Sequence, residues 1–207
     1  MAAISVFLLL SACTTTTVYQ QDTYEALNGK TVLLFLPPVE PPMPESLHNQ
    51  LMDQARQGMQ SSPHLGKVLT GSDVQALKDV TLNGYFQTYG TTLTDTGLSD
   101  PELSHHFGQR LNADLLTTLQ VYHLPCPVCE EGDQLWLVGQ TIRVSTGELM
   151  LRVHIKNPVA SNTQTLGEES ADMVKDYLER FNEAARPKWH RLRFKHLKAP
   201  SPTVQPS

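Results

Sequence analysis

The sequence predicts an α/β fold in which a mixed sheet with a C-terminal antiparallel meander is covered by amphipathic helices. Three observations lead to this prediction. A continuous apolar run of strand length lies at residues 30–36. Helical patterns alternate with strand patterns as far as residue 124, and two long strand patterns flank a Ser-Thr-Gly turn at residues 145–147. The chain of 207 residues is 40% hydrophobic and 18% charged, which is typical of one globular domain.

The first strand is predicted to lie buried in the middle of the sheet. Its sequence, KTVLLFL at residues 30–36, shows no polar alternation, and the two prolines that follow end it. Residues 37–44 (PPVEPPMP) predict a stiff, extended connector. A helix is then predicted from Glu45, because apolar residues recur at four-residue spacing on one face: Leu47, Leu51, Ala55 and Met59.

Short elements are predicted next. Residues 67–70 (KVLT) indicate a short strand, and Ser72 is a good N-cap for the helix that follows it. A further helical piece is predicted at residues 82–89, followed by a Thr- and Gly-rich loop at residues 90–97.

A capping box indicates the next helix. Ser99 and Glu102 are three residues apart with a proline between them, and Leu103, Phe107 and Leu111 continue the apolar face. Asn112 is a suitable helix terminator. Residues 113–124 (ADLLTTLQVYHL) then predict a long strand.

The clearest predicted feature is a hairpin. Residues 134–144 and 148–155 have strand patterns and flank the turn at residues 145–147. Thr165 and Glu168 repeat the capping-box spacing before a last helix. That helix has a strong apolar stripe, formed by Met173, Val174, Tyr177, Leu178, Phe181 and Ala184.

The N-terminal residues resemble a bacterial lipoprotein signal. Residues 2–10 form a short apolar run that ends in Leu10-Ser11-Ala12-Cys13, and a cysteine after small residues resembles a lipobox. The resemblance implies that residues 1–12 are removed and that Cys13 carries lipid. The polar residues that follow make residues 13–28 a predicted tether. An apolar N-terminus with a chance cysteine is the alternative.

The location follows from the same resemblance. No apolar run approaches the roughly 18 residues that a membrane-spanning helix needs, so the lipid is the expected anchor. Thr14 follows Cys13, whereas aspartate at that place retains lipoproteins in the inner membrane in enterobacteria-like sorting. We therefore expect the protein at the outer membrane, facing the periplasm.

The order of elements resembles a known family of envelope domains. The residues that carry the resemblance are the strand at 30–36, residues 103–119 with their Leu-Asn-Ala-Asp sequence, and the Thr146-Gly147-Glu148 turn. They are similar to the N-terminal domain of the Tol-system translocation protein. Similar domains occur in the curli-secretion lipoprotein and in lipoprotein activators of penicillin-binding proteins. The resemblance implies an α/β domain at residues 29–186 that binds envelope proteins or assembles, without catalysis and without a cofactor.

Cys126 and Cys129 form the one motif in the sequence that could be chemically reactive. Lipidation of Cys13 would leave these two cysteines, and the oxidising periplasm favours a disulfide between them. A redox-active thiol needs a helix N-terminus, whereas strands are predicted on both sides of this motif. Reduced thiols remain a further alternative.

A zinc site is the sharper alternative for the same motif. His123, Cys126 and Cys129 have ligand-like spacing, and His105 or His106 could complete a tetrahedral set. A second Cys-x-x-Cys motif is missing from the sequence.

The C-terminal tail, residues 187–207, is basic and then rich in proline and serine. Six basic residues lie between positions 186 and 198, which leaves a body with a net charge of about −11. Aromatic and basic residues interleave in this tail, which indicates a surface for anionic partners or lipid headgroups: Trp189, Arg191, Arg193, Phe194 and Lys195. Alternatively, the tail packs back on the domain while its charges stay in water.

These observations favour a binding or assembling protein over an enzyme. The sequence has no phosphate-cradling glycine loop and no metalloprotease motif, and residues 145–147 are a turn rather than a nucleophile elbow. We expect a non-enzymatic lipid-anchored envelope lipoprotein whose periplasmic domain binds a protein partner or self-associates, without nucleic acid. The alternative is a periplasmic metal-binding or thiol-redox factor that uses Cys126 and Cys129.

Overall fold

A mixed β-sheet lies at the centre of the protein. The computed structural model describes residues 15–20, 27, 29–37, 44–96, 100–125, 133–159 and 163–185. Within these residues the sheet has six strands: β1 Thr15–Gln20, β2 Thr31–Phe35, β3 Lys67–Thr70, β4 Leu115–Leu124, β5 Asp133–Arg143 and β6 Glu148–Val159. The five helices among them are α1 Glu45–Gln60, α2 Gly71–Ala76, α3 Val80–Thr96, α4 Pro101–Leu111 and α5 Thr163–Ala185.

The strand order is β1-β6-β5-β4-β2-β3. β2 pairs in parallel with both β3 and β4, whereas β4, β5, β6 and β1 pair antiparallel. The sequence prediction of a mixed sheet with a C-terminal meander is confirmed. β2 is interior, as its uninterrupted apolar sequence predicts, and its three central residues are fully buried: Val32, Leu33 and Leu34.

Helices α1 and α5 pack on one face of the sheet, which we call the back. The predicted apolar stripe of α5 is buried there against odd-numbered residues of β4, β5 and β6. Gln54 Nε2 of α1 donates a hydrogen bond of 2.8 Å to the carbonyl oxygen of Ala171, so the two helices lie side by side. This layer holds the larger of the two hydrophobic clusters.

Helices α2, α3 and α4 pack on the opposite face, which we call the front. The cluster there joins residues of these helices to β2, β3, the start of β4 and the end of β5: Leu33, Leu69, Val74, Leu82, Phe86, Tyr89, Ala113, Leu116, Ile142 and Val144. The remaining front side chains of β4, β5 and β6 do not belong to either hydrophobic cluster.

The predicted tether at residues 13–28 is wrong for residues 15–20. These residues form β1, which pairs antiparallel with β6 from Thr15 opposite Lys156 to Gln20 opposite Leu151. Their β-branched sequence, TTTV, favours a strand, and pairing covers what would otherwise be the exposed edge of β6. Polar composition alone does not distinguish an edge strand from a linker.

The predicted loop at residues 90–97 is also wrong, because α3 continues to Thr96. Gly90 is buried against Phe35, and a Cβ atom at this position would overlap the Phe35 ring. The glycine therefore permits a close approach between α3 and β2.

The N-cap residues of α2 and α4 lie two residues and one residue away from the predicted positions. Thr70, not Ser72, precedes α2, and its backbone N–H donates to Asp73 Oδ2 at 2.7 Å. Asp100, not Ser99, caps α4, since its Oδ1 accepts hydrogen bonds from the backbone N–H groups of Glu102 and Leu103 at 2.9 and 3.0 Å.

The sequence also predicts the C-terminal end of α4 and the N-terminal end of α5. The α4 terminator is confirmed, because Asn112 adopts the left-handed conformation with φ of 50°. The last helix, α5, begins at Thr163, two residues before the predicted cap at Thr165.

Candidate functional site

Most residues that the sequence singled out for function lie outside the described residues. This applies to Cys13, to Cys126 and Cys129, and to the five residues of the tail: Trp189, Arg191, Arg193, Phe194 and Lys195. Their roles in lipidation, disulfide or metal chemistry and partner binding therefore stay predictions.

His123, the third residue of the zinc hypothesis, lies near the end of β4. Its Nε2 atom is 2.9 Å from Oδ2 of Asp133 at the start of β5, so this pair links the two strands. His106 lies on α4 and stacks on the Tyr85 ring with 5.0 Å between centroids. Within the described part of the chain, no three His, Cys, Asp or Glu side chains are grouped to hold a metal ion.

A polar cleft of about 490 Å³ opens where β2 and β4 begin, beside the end of α4. Asp114 is held firmly there: its Oδ2 accepts a 2.9 Å hydrogen bond from the backbone N–H of Thr31, and its Oδ1 lies 3.4 Å from Lys30 Nζ. Arg143, also in the cleft, pairs with Glu148 at 2.9 Å. The Asp114 contacts therefore tie the start of β4 to the start of β2, and the Arg143–Glu148 pair ties β5 to β6.

The front of β4, β5, β6 and β1 carries polar and aromatic side chains that are buried or partly buried on β4 and β5 and become exposed towards β1. Side chains alternate along each strand, and residues paired across strands lie on the same side, so the strand registers define this surface. We call it the polar sheet face; its members are Thr118, Gln120, Tyr122, Trp136, Val138, Gln140, Arg152, His154, Lys156, Thr17 and Tyr19.

Three buried polar atoms on the polar sheet face have no hydrogen-bond partner. They are the hydroxyl Oγ1 of Thr118, the amide Nε2 of Gln120 and the ring Nε2 of His154. Thr118 is only 2% exposed and Gln120 only 3%. Three further atoms of this kind among the described residues lie on α1 and α5, and all six are covered within the single chain.

The charge on the polar sheet face has one sign. Arg152 is exposed, and Lys156 Nζ lies 5.7 Å from the centroid of the Trp136 ring. His154 packs edge-on against the same ring at 5.3 Å. Partial burial raises the pKa of Tyr122 above its ordinary value of 10.0, so its hydroxyl is a neutral donor at physiological pH. None of the described members of this face is acidic.

The outer side of α5 has the opposite charge. The helix contains six carboxylates and two basic residues. Four exposed carboxylates lie in one stripe, opposite the buried stripe, and we call them the acidic helix face: Glu168, Asp172, Glu179 and Glu183. Lys175 lies in the same stripe, and Arg180 at its side is 3.6 Å from Glu183.

The two faces lie on opposite sides of the same strands. Tyr177 of α5 is fully buried against the back of β5, where its hydroxyl is 3.3 Å from Thr141 Oγ1 and burial raises its pKa. The polar sheet face covers the front of β5 and β6. One copy of the domain therefore presents a basic surface on one side and an acidic surface on the other.

Sequence reasoning missed both surfaces as functional candidates, although their pattern is visible. Arg152, His154 and Lys156 alternate with Leu151, Val153 and Ile155, so one side of β6 is basic and the other apolar. The acidic residues of α5 recur at helical spacing opposite its apolar stripe.

No helix within the described residues is long and apolar enough to cross a bilayer.

Comparison with known proteins shows similarity in structure alone. No family model matches the chain, and no curated protein matches its sequence. The fold is similar to that of the PelC dodecamer from Paraburkholderia phytofirmans, with 11% identity and a TM-score of 0.52. The match covers 84% of this chain and 100% of the PelC chain. At this identity the similarity establishes a shared fold.

Two further solved structures are more distant. Lipoprotein GNA1162 from Neisseria meningitidis is 12% identical with a TM-score of 0.43, and the match covers 72% of this chain and 96% of that one. Hypothetical protein CT253 from Chlamydia trachomatis is 11% identical with a TM-score of 0.43, covering 79% and 95%. These TM-scores are too low to support an inference.

Proposed function

We propose that the protein is a non-enzymatic lipoprotein of the outer membrane, anchored by lipid on Cys13 and facing the periplasm, whose α/β domain assembles with further copies of itself. The observation that carries the proposal is the fold shared with the whole PelC chain, which was solved as a dodecamer. The lipobox-like sequence before Cys13 supports the anchor. The resemblance to Tol-system, curli-secretion and penicillin-binding-protein activator domains supports a role in binding rather than catalysis.

The edge strand places the domain close to its proposed anchor. Cys13 precedes the first residue of β1, Thr15, by two positions, so at most about 7 Å separates their Cα atoms. On β1, Val18 is 44% exposed and Tyr19 is 53% exposed. Lipid on Cys13 would therefore hold this edge of the sheet against the membrane surface.

The non-enzymatic part of the proposal is supported by the polar cleft. Lys30 and Arg143 are paired with carboxylates, and Asp114 accepts a hydrogen bond from the backbone N–H of Thr31. Side chains that make these contacts stabilise the fold. The polar sheet face, in contrast, has two large, partly buried aromatic side chains, Trp136 and Tyr122, and aromatic residues are enriched at protein interfaces.

Membrane association and assembly can be tested together with the full-length chain expressed in a Gram-negative host. We expect the wild type in the outer-membrane fraction, with lipid on Cys13 in the mass spectrum of the mature protein. After extraction in mild detergent, light scattering should give a defined oligomer. Cys13→Ala should abolish membrane association, whereas the control Cys126→Ser should retain it. A wild-type protein that is monomeric at micromolar concentration, or that stays membrane-bound without Cys13, would refute the corresponding part of the proposal.

A further inference from the structure

We infer that the polar sheet face of one copy docks on the acidic helix face of the next. This inference rests on the proposed self-assembly and specifies the two surfaces that make the contact. It commits to a second copy of this chain as the occupant of the polar sheet face. The charges of the two surfaces, their spacing, the aromatic side chains and the placement of the surfaces support this contact.

The charges of the two surfaces are complementary. Arg152 and Lys156 lie on a surface that has no acidic member among the described residues. The acidic helix face lies on a helix with six carboxylates and only two basic residues. Complementary potentials favour contact between these surfaces and disfavour contact between two copies of the same surface. A head-to-tail contact is therefore favoured over a two-fold symmetric one.

The spacing of the charges agrees with such a contact. Arg152 and Lys156 are four residues apart along a strand, or roughly 13 Å. Asp172 and Glu179 are seven residues apart along a helix, or roughly 10.5 Å. Long basic side chains easily adjust to this difference, so both basic residues can meet both acidic residues at once.

Aromatic side chains lie beside the basic residues. Lys156 Nζ is 5.7 Å from the centroid of the Trp136 ring, and Trp136 and Tyr122 are both only partly buried in the single chain. They provide the aromatic area that is enriched at protein interfaces.

The placement of the two faces explains how one contact builds a larger assembly. Because they lie on opposite sides of β5 and β6, each copy that docks on one neighbour leaves its second face free for another. A heterologous contact of this kind repeats, and it produces a closed ring when the rotation between neighbours closes.

The test is charge reversal and charge exchange in the full-length lipidated chain in mild detergent at low salt. The front variant is Arg152→Glu with Lys156→Glu, and the back variant is Asp172→Lys with Glu179→Lys. We expect each to weaken assembly by at least about 100-fold. The combined variant, which exchanges the charges between the faces, should restore it. Native mass spectrometry and light scattering measure the assembly.

A matched control changes the same number of charges elsewhere. Lys67 on β3 and Arg110 on α4 are exposed and lie outside both faces, so Lys67→Glu with Arg110→Glu should leave assembly intact. Thermal melting of every variant confirms that it folds. If the front variant does not fold, Arg152→Gln with Lys156→Gln replaces it, and the expected result is again a large loss of assembly.

The outcomes separate this inference from the proposed function. A wild-type oligomer that persists in the front and back variants would overturn the docking inference and leave self-assembly standing. Folded front and back variants that are monomeric, with no recovery in the combined variant, would show that the two faces do not contact each other. A monomeric wild type would overturn both.

Discussion

Gly139→Ala tests how α5 is fixed behind the sheet, on which the position of the acidic helix face depends. Gly139 lies in β5 directly under the Tyr177 ring, and an added Cβ would overlap Cδ2 and Cε2 and lie 3.0 Å from Cζ. Tyr177 is fully buried and its hydroxyl contacts Thr141 at 3.3 Å, so the ring cannot simply rotate away. The substitution therefore forces α5 away from the sheet or distorts β5.

The magnitude follows from the cost of overpacking a buried site, which is about 1–3 kcal/mol. With a change in melting midpoint of roughly 2–4 °C per kcal/mol for a chain of this size, a central cost of about 2 kcal/mol lowers the midpoint by roughly 4–8 °C. The matched control is Gly84→Ala on α3. That position is exposed and has open space around it, so alanine should stabilise by about 0.5–1 kcal/mol through helix propensity.

The assay is chemical and thermal unfolding of four proteins: wild type, Gly139→Ala, Tyr177→Leu and the double variant. Tyr177→Leu is itself destabilising, because it removes a buried ring. In the Tyr177→Leu protein, Gly139→Ala should lower the free energy of unfolding much less than it does in the wild type. The coupling energy between the two positions should be at least about 1 kcal/mol. An equal cost of Gly139→Ala in both backgrounds, or no cost in either, would refute the proposed contact between Gly139 and Tyr177.

Three further predictions concern single features. Asp100→Ala removes the cap of α4 and should destabilise by about 1 kcal/mol in urea unfolding, whereas Asp100→Ser should retain most of the stability; equal losses would contradict the capping role. Burial raises the pKa of Tyr177 above its ordinary value of 10.0. The contribution of the neutral Tyr177 side chain to stability is therefore fully present below pH 10. It is lost as the pH rises above that value, because the unfolded chain then releases the phenolic proton more readily than the folded chain does. Tyr177→Phe should therefore reduce the fall in stability measured between pH 10 and 11.5, and an unchanged slope would show that another group causes it. Changing both Cys126 and Cys129 to serine should cost at most about 2 kcal/mol if they form a disulfide across a four-residue loop; loss of bound zinc or of a reductase activity would instead support the alternative chemistry.

The fold was largely predictable because its core elements have strong periodic patterns. The uninterrupted apolar sequence of β2 and the apolar stripe of α5 each allow only one arrangement that buries their apolar side chains well. β1 was missed because its polar sequence does not distinguish an edge strand, which depends on pairing with β6, from a linker. The extent of α3 was missed because residues 90–97 were interpreted as a Thr- and Gly-rich loop. The packing of Gly90 against Phe35 depends on tertiary structure.

The candidate surfaces were less predictable for a similar reason. The sequence shows that Arg152, His154 and Lys156 share one side of β6, but a basic strand side is usually a solvated surface. Its importance depends on which strands lie beside it and on the aromatic side chains that they place there, Trp136 and Tyr122. Strand order is a property of the folded chain.

Docking through sheet and helix faces is also compatible with the proposed anchor, whereas docking through sheet edges is not. A contact that paired β1 of one copy with β3 of the next would enclose the strand that follows Cys13, whose Cα lies within about 7 Å of β1. Docking between the polar sheet face and the acidic helix face involves the front side chains of β1, Thr17 and Tyr19, but leaves the outer backbone edge of β1 free in every copy. Since cyclic symmetry places equivalent atoms at the same height along the ring axis, all Cys13 lipids would then lie in one plane. A single membrane leaflet could hold every copy of such a ring.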